Sequence, residues 1–132
     1  GNILWEYCGM SRNNSGLKKA KKLIKDLRTE YWENVLVGGS EQNFNQSLER
    51  AWRVADFLEF GELMVTDALE RQESCGGHFN EKFQTGENEA LRDDKHFCHV
   101  SAWEFNGDKR KPKFHKEPLT FENVELTQRS YK

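Results

Sequence analysis

Apolar residues recur at helical spacing along most of the first 75 residues, and the longest such stretch runs from about Asn43 to Ser74. Phe44, Leu48, Ala51, Ala55, Leu58, Val65 and Leu69 fall on one face of a 3.6-residue repeat. The stretch holds no proline and one glycine, and it predicts a helix of roughly 45 Å at about 1.5 Å per residue. Its centre, FLEFGELMV over 57–65, is apolar in nearly every direction. A helix of that kind must be covered on more than one side. Two shorter helices are expected to supply part of the cover, and a surface outside this sequence the rest. Glu62 projects from the apolar face, so a structural salt bridge is expected to satisfy its carboxylate.

The first short helix is predicted over ILWEYCGMSR with Asn2 as N-cap, an apolar and aromatic segment. Asn13-Asn14-Ser15-Gly16 signals a loop, and a second helix follows over about Ser15 to Val35. Leu17, Ala20, Ile24, Leu27 and Tyr31 form its stripe, with lysines filling most of the remaining surface. Val37-Gly38-Gly39-Ser40 ends it, and Asn43 with Gln46 resembles a capping box opening the long helix. Short connections favour an antiparallel three-helix bundle. The expected fold is therefore mainly α, with the bundle in residues 1–75.

After Ser74 the pattern changes. Cys75-Gly76-Gly77-His78 predicts a sharp turn, and an irregular polar stretch follows to about Lys95. His96 to Phe105 alternates as a strand, with Phe97, Trp103 and Phe105 on one face and Val100 and Ala102 on the other. Asn106-Gly107 is a hairpin turn signal, and Lys113 to Lys116 returns as the second strand. A two-stranded hairpin needs a surface to lie on. LTFENVELTQRSYK closes the chain as an extended arm. Residues 76–132 thus form an irregular segment, a β-hairpin and a C-terminal arm, and the two parts together are expected to be one domain excised from a larger chain.

At 132 residues the chain has the size of one domain, and its 32% charged content makes a very polar surface. The net charge of −2 offers no general attraction for nucleic acid. The KKAKKLIK run on the second helix is read as a solvated face, since no aromatic residues interleave with it. No apolar run approaches the length of a membrane span. Cys8, Cys75 and Cys98 are odd in number, irregularly spaced, and read as reduced thiols. The glycines form neither a dinucleotide fingerprint nor a phosphate loop. Cys75 and His78 with His96, Cys98 and His99 offer enough ligands for zinc, but not at a known finger spacing. Cys75 beside His78 lacks the third orienting group of an activated nucleophile. Neither a metal site nor a catalytic residue is assigned.

WEYCGMSR, RVADFLEFGELMVTDALERQESCGGHF, a DD segment, WEF, HKEPL and QRSYK, in that order, resemble the C-terminal domain of succinate dehydrogenase and fumarate reductase flavoprotein subunits. The bacterial branch that pairs with a cytochrome b membrane subunit is the most similar. Arg71 to His78 matches a helix-end motif that commonly reads R-x-E-S-R-G-x-H, with Cys75 in place of the usual arginine. The resemblance implies a helical bundle with an extended tail, docked on an FAD-binding domain of the same polypeptide. It implies a parent enzyme that interconverts succinate and fumarate and passes electrons between FAD and an iron–sulfur subunit. The cytochrome b subunit is an indirect partner, and the complex sits peripherally on the cytoplasmic, inner face of the bacterial cell membrane.

The FAD attachment and the dicarboxylate site lie upstream in that family, so no cofactor and no catalytic residue is expected here. Glu73, Ser74 and His78 are the residues expected to fix interdomain docking. The isolated chain is expected to be inactive. The competing readings are a stand-alone helical interaction module and a small zinc-binding protein built on Cys75, His78 and the His96–His99 cluster.

Overall fold

Two long helices form the frame of the domain. A computed structural model describes residues 1–40, 43–107, 110–128 and 130. In chain order the elements are α1 (Asn2–Tyr7), α2 (Asn14–Asn34), α3 (Gln46–Glu70), α4 (Asp94–Phe97), β1 (His99–Glu104) and β2 (Lys113–Pro118). The expected mainly α architecture with one hairpin is the one observed. Arg129, Tyr131 and Lys132, which close the arm, lie outside the described residues.

α2 and α3 are antiparallel. Tyr31 donates to the Ala51 carbonyl at 2.6 Å near one end of the pair, and Arg28 reaches Glu62 at 2.5 Å further along. The Glu62 carboxylate thus has the salt bridge its position on the helix required. The core lies beyond this clamp, where the first half of α2 meets the second half of α3. Leu17, Ala20, Ile24, Val65 and Ala68 are buried there with Cys8, and Ile3, Leu4, Tyr7 and Leu69 pack against them. Three helices can meet at this point because position 61 carries no side chain. A Cβ built on Gly61 would lie 3.3 Å from Leu4 Cδ1 and 3.8 Å from Ile24 Cδ1.

The helix ends depart from the expected ones. α1 begins at Asn2 itself, capped by Gly1, and stops at Tyr7, so the expected continuation through Arg12 is absent. Gly9 lies so close to the Trp5 carbonyl that a Cβ there would collide with it. α3 starts at Gln46, and its N-cap is Asn45 rather than Asn43, the Asn45 side chain accepting from Leu48 N–H at 3.1 Å. Two asparagines two residues apart offer the same local signal, and the backbone N–H within reach decides between them. Phe44 therefore lies before the helix and is exposed. α2 runs one residue ahead of the expected range at each end, capped by Asn13.

β1 and β2 pair antiparallel in register from His99↔Pro118 to Glu104↔Lys113. β1 is shorter than expected, because residues 94–97 turn into α4. His99, Ser101 and Trp103 face inward while Val100, Ala102 and Glu104 face outward. Trp103 stacks on Phe114 at 4.5 Å and donates its indole N–H to Asp67 of α3 at 2.7 Å. That hydrogen bond ties the hairpin to α3. The arm returns toward the polar loop, where Arg92 donates to the Thr127 carbonyl and Gln128 to the Ala90 carbonyl.

Gly61→Val is expected to lower stability by about 1–3 kcal/mol, the usual cost of overpacking a filled core, with urea unfolding as the measurement. Gly61→Ala is expected to lose less, since the roughly 1 kcal/mol helical advantage of alanine offsets the crowding of Leu4.

Candidate functional site

α3 ends where the helix-end motif begins, and four side chains converge there. Arg71 is the C-cap of α3. Its Nη1 donates to Glu73 Oε1 at 2.9 Å, and its Nη2 to the His99 carbonyl at 3.3 Å. Glu73 is only 2% exposed, and its second oxygen accepts the Asp93 N–H at 2.9 Å. One ion pair therefore ties the end of α3, the polar loop and β1 together. Ser74 is fully buried; its hydroxyl donates to the Asn80 carbonyl at 3.1 Å and accepts the Asn80 N–H at 2.9 Å.

The turn after Ser74 is tight because glycine permits it. Cys75 and His78 exchange backbone hydrogen bonds at 2.9 and 3.0 Å, with Gly76 at φ +57 between them. The turn sends the His78 ring back over the helix end. His78 Nε2 lies 3.0 Å from the Arg71 carbonyl, and Nδ1 lies 2.8 Å from Arg12 Nη1. A carbonyl only accepts and a guanidinium only donates, so Nε2 carries the proton and Nδ1 is bare. The imidazole is held neutral. Burial is the main force lowering its pKa, and the charges of Arg12 and Arg71 add to it against the backbone hydrogen bond and Asp67.

These residues close one end of an open groove of about 610 Å³ between α3 and the hairpin. Phe60, Met64 and Ala68 form the helix wall, and Ser101 and Trp103 form the hairpin wall. Arg12, Arg71, His78 and His99 form the polar end. Arg12 comes from the link between α1 and α2. Its Nε donates to the Gly9 carbonyl at 3.1 Å, and backbone hydrogen bonds join Arg12 to Phe79 and Glu81. Burial pushes the Cys8 thiol pKa up, although the nearby Arg12 charge opposes this, so the thiol is not an activated nucleophile.

Of the residues singled out in the sequence, His78 lines the groove, while Glu73 and Ser74 lie beneath it as its support. His96 pairs with Asp93 and the His99 ring faces Phe97 and Phe114, so the histidines do not converge. Among the described residues no group of three His, Cys, Asp or Glu side chains is placed to hold a metal ion. Arg12, Asp67 and Trp103 were not singled out as site residues. Arg12 is the first basic residue of the chain, the single faint sign of its role. Among the described residues no helix is long and apolar enough to cross a membrane.

The chain matches the family model described as "Fumarate reductase flavoprotein C-term" over residues 1–131. It is 36% identical over 81 residues to a chloroplastic L-aspartate oxidase of Nicotiana tabacum, covering 61% of this chain and 12% of that protein. It is 27% identical over 78 residues to the fumarate reductase flavoprotein subunit of Haemophilus influenzae, covering 59% of this chain and 13% of that one. Its fold is similar to that of the E. coli quinol fumarate reductase chain FrdA, with a TM-score of 0.81 at 20% identity, over 97% of this chain and 21% of that one. Sdh1 of Mycobacterium smegmatis has a TM-score of 0.72 at 20% identity, over 94% of this chain and 20% of that one.

Two outcomes test the site as described. Glu73→Ala leaves Arg71 without its buried partner and is expected to cost about 3–5 kcal/mol in urea unfolding, with Glu73→Gln losing less. The pH dependence carries the sign of the His78 shift. The unfolded chain takes up a proton at His78 near pH ~6.5, and the folded chain only at lower pH. Stability is therefore expected to fall as pH drops below about 6.5, with no contribution from this group above it. In His78→Gln this part of the acid slope should vanish from the urea midpoints.

Proposed function

We propose that this chain, which belongs to the fumarate reductase flavoprotein C-terminal family, serves as the non-catalytic C-terminal domain of a larger FAD-dependent subunit. The match across residues 1–131 carries this reading. The chain spans about an eighth of the curated relatives it matches and about a fifth of the similar solved chains. The flavin chemistry belongs to the remainder of such a polypeptide. The parent interconverts succinate and fumarate, exchanges electrons between FAD and an iron–sulfur subunit, and lies peripherally on the inner face of the bacterial membrane through a cytochrome b subunit.

Within the parent, the domain supports the flavin-binding domain. Glu73, Ser74 and His78 fix the docking from beneath: Glu73 and Ser74 hold the end of α3 against the polar loop, and His78 orients Arg12 at the surface. The apolar side chains left open on α3 support this reading. Phe57 and Phe60 are 67% and 60% exposed. Patches of this kind on a small domain mark an interaction surface.

A second parent activity has an observation in its favour, since the L-aspartate oxidase is 36% identical to this chain and the Haemophilus fumarate reductase subunit 27%. Succinate is preferred because the family model that matches residues 1–131 is described by the fumarate reductase flavoprotein, while the two pairwise similarities cover nearly the same share of the chain, 61% and 59%.

Two measurements decide. The native polypeptide yielding the tryptic peptide Val54 to Arg71 is expected to be several times larger than 15.5 kDa; a band at that mass overturns the proposal. Anaerobic addition of succinate to the purified parent is expected to bleach its flavin, and bleaching by L-aspartate alone would assign it to the other activity.

A further inference from the structure

The outer face of α3 and the polar end of the groove form one continuous surface. Phe57, Phe60 and Met64 repeat at helical spacing and are all exposed, one step around the helix from the buried Gly61, Val65 and Ala68. The stripe continues along α3 to Asp67 and Arg71, and so runs into the groove. The opposite wall is rigid, because Asp67 holds the Trp103 indole and Phe114 backs its ring.

At the end of this surface stands a cation with only neutral partners. The Arg12 guanidinium donates to the Gly9 carbonyl and to the bare Nδ1 of His78. Arg71, by contrast, has Glu73, and Arg28 has Glu62. No carboxylate among the described residues forms an ion pair with Arg12. The residue is half-buried, so covering the groove without supplying a negative charge would carry a desolvation cost. The side chain is nonetheless held in place by its neutral acceptors. A fixed guanidinium with open N–H groups beside an apolar trough suits a carboxylate carried on a segment that also presents an apolar side chain.

The length of the relatives points to the occupant. This chain covers 21% of a similar solved chain, so the rest of such a polypeptide is tethered to the domain. A few apolar anchors and one ion pair gain from that tethering, since the effective concentration of a linked segment reaches the order of millimolar. We propose, resting on the functional reading above, that the groove receives a segment of the flavin-binding part of the same polypeptide, placing an apolar side chain against Phe60, Met64 and Trp103 and an Asp or Glu carboxylate on Arg12.

Carbodiimide cross-linking of the full-length parent tests this. The reagent joins an amine directly to a carboxylate it already touches, so Arg12→Lys converts the ion pair into an amide that peptide mass spectrometry can locate. The expected product links position 12 to an Asp or Glu of the flavin-binding part. A link only to carboxylates within these 132 residues, a link only to a separate subunit, or no link in a variant that retains its flavin overturns the proposal. Should that variant fail to fold, hydroxyl-radical labelling of the unsubstituted parent takes its place. Phe60 and Met64 are expected to oxidise about tenfold more slowly in the native parent than in the urea-unfolded one, and equal rates overturn the proposal. A parent of 15.5 kDa would instead remove the functional reading. A large parent with an open groove removes only this inference.

Discussion

The buried pair of Arg71 and Glu73 is the constraint on which the arrangement of this domain depends. α3 must stop before the chain can turn back, and its last orphaned groups must be satisfied where it stops. The pair sits at this boundary between the helical part and everything after it, where the His78 ring N–H donates to the Arg71 carbonyl. Each partner also has a second acceptor or donor, on β1 and on the polar loop respectively. The carboxylate is almost wholly enclosed, so the pair contributes through positioning more than through net stabilisation. Without it, the hairpin would keep its hold on α3 chiefly through the Trp103–Asp67 hydrogen bond.

From that fixed corner the remaining site follows. The tight turn at Gly76 returns His78 to the helix end, and the neutral imidazole relays the position of the α3 terminus to Arg12. Arg12 belongs to the link between α1 and α2, so the relay joins the first and last parts of the bundle. The groove is the space left between a helix and a hairpin held apart at one end by polar groups. Its walls are apolar because α3 carries more apolar surface than α2 and α1 can cover. The core is correspondingly small and lies at one end of the helix pair, while Leu27 and Trp52 near the other end remain exposed. Exposed apolar area distributed in this way is the kind that marks an interaction surface.

Much of this was legible in the residues, and the limits of what was legible have physical causes. The two long helices, the hairpin and the arm followed from periodicity, because an amphipathic stripe and a strand alternation are local properties. Glu62 was identifiable as a paired carboxylate from its helical angle alone, and Arg28 is that partner. Over-apolar α3 pointed to a surface beyond the chain. The N-cap of α3 was misplaced by two residues, since Asn43 and Asn45 differ only in which backbone N–H lies within reach. The sequence pattern extends α1 too far and makes strand of His96 and Phe97, the second half of α4, because four to six residues are too few for a period to declare itself.

The sequence by itself determined the elements, their order and the family, for each rests on patterns written along the chain. Only the tertiary structure decided what those patterns assemble. Glu73 and Ser74 have the composition of surface residues but lie buried beneath the groove, and Arg12, sixty-six positions away from His78, stands at its mouth. Burial and pairing depend on which distant segments are brought together. That is settled by packing α1 onto Gly61 and folding the hairpin back onto Asp67, which no local period encodes.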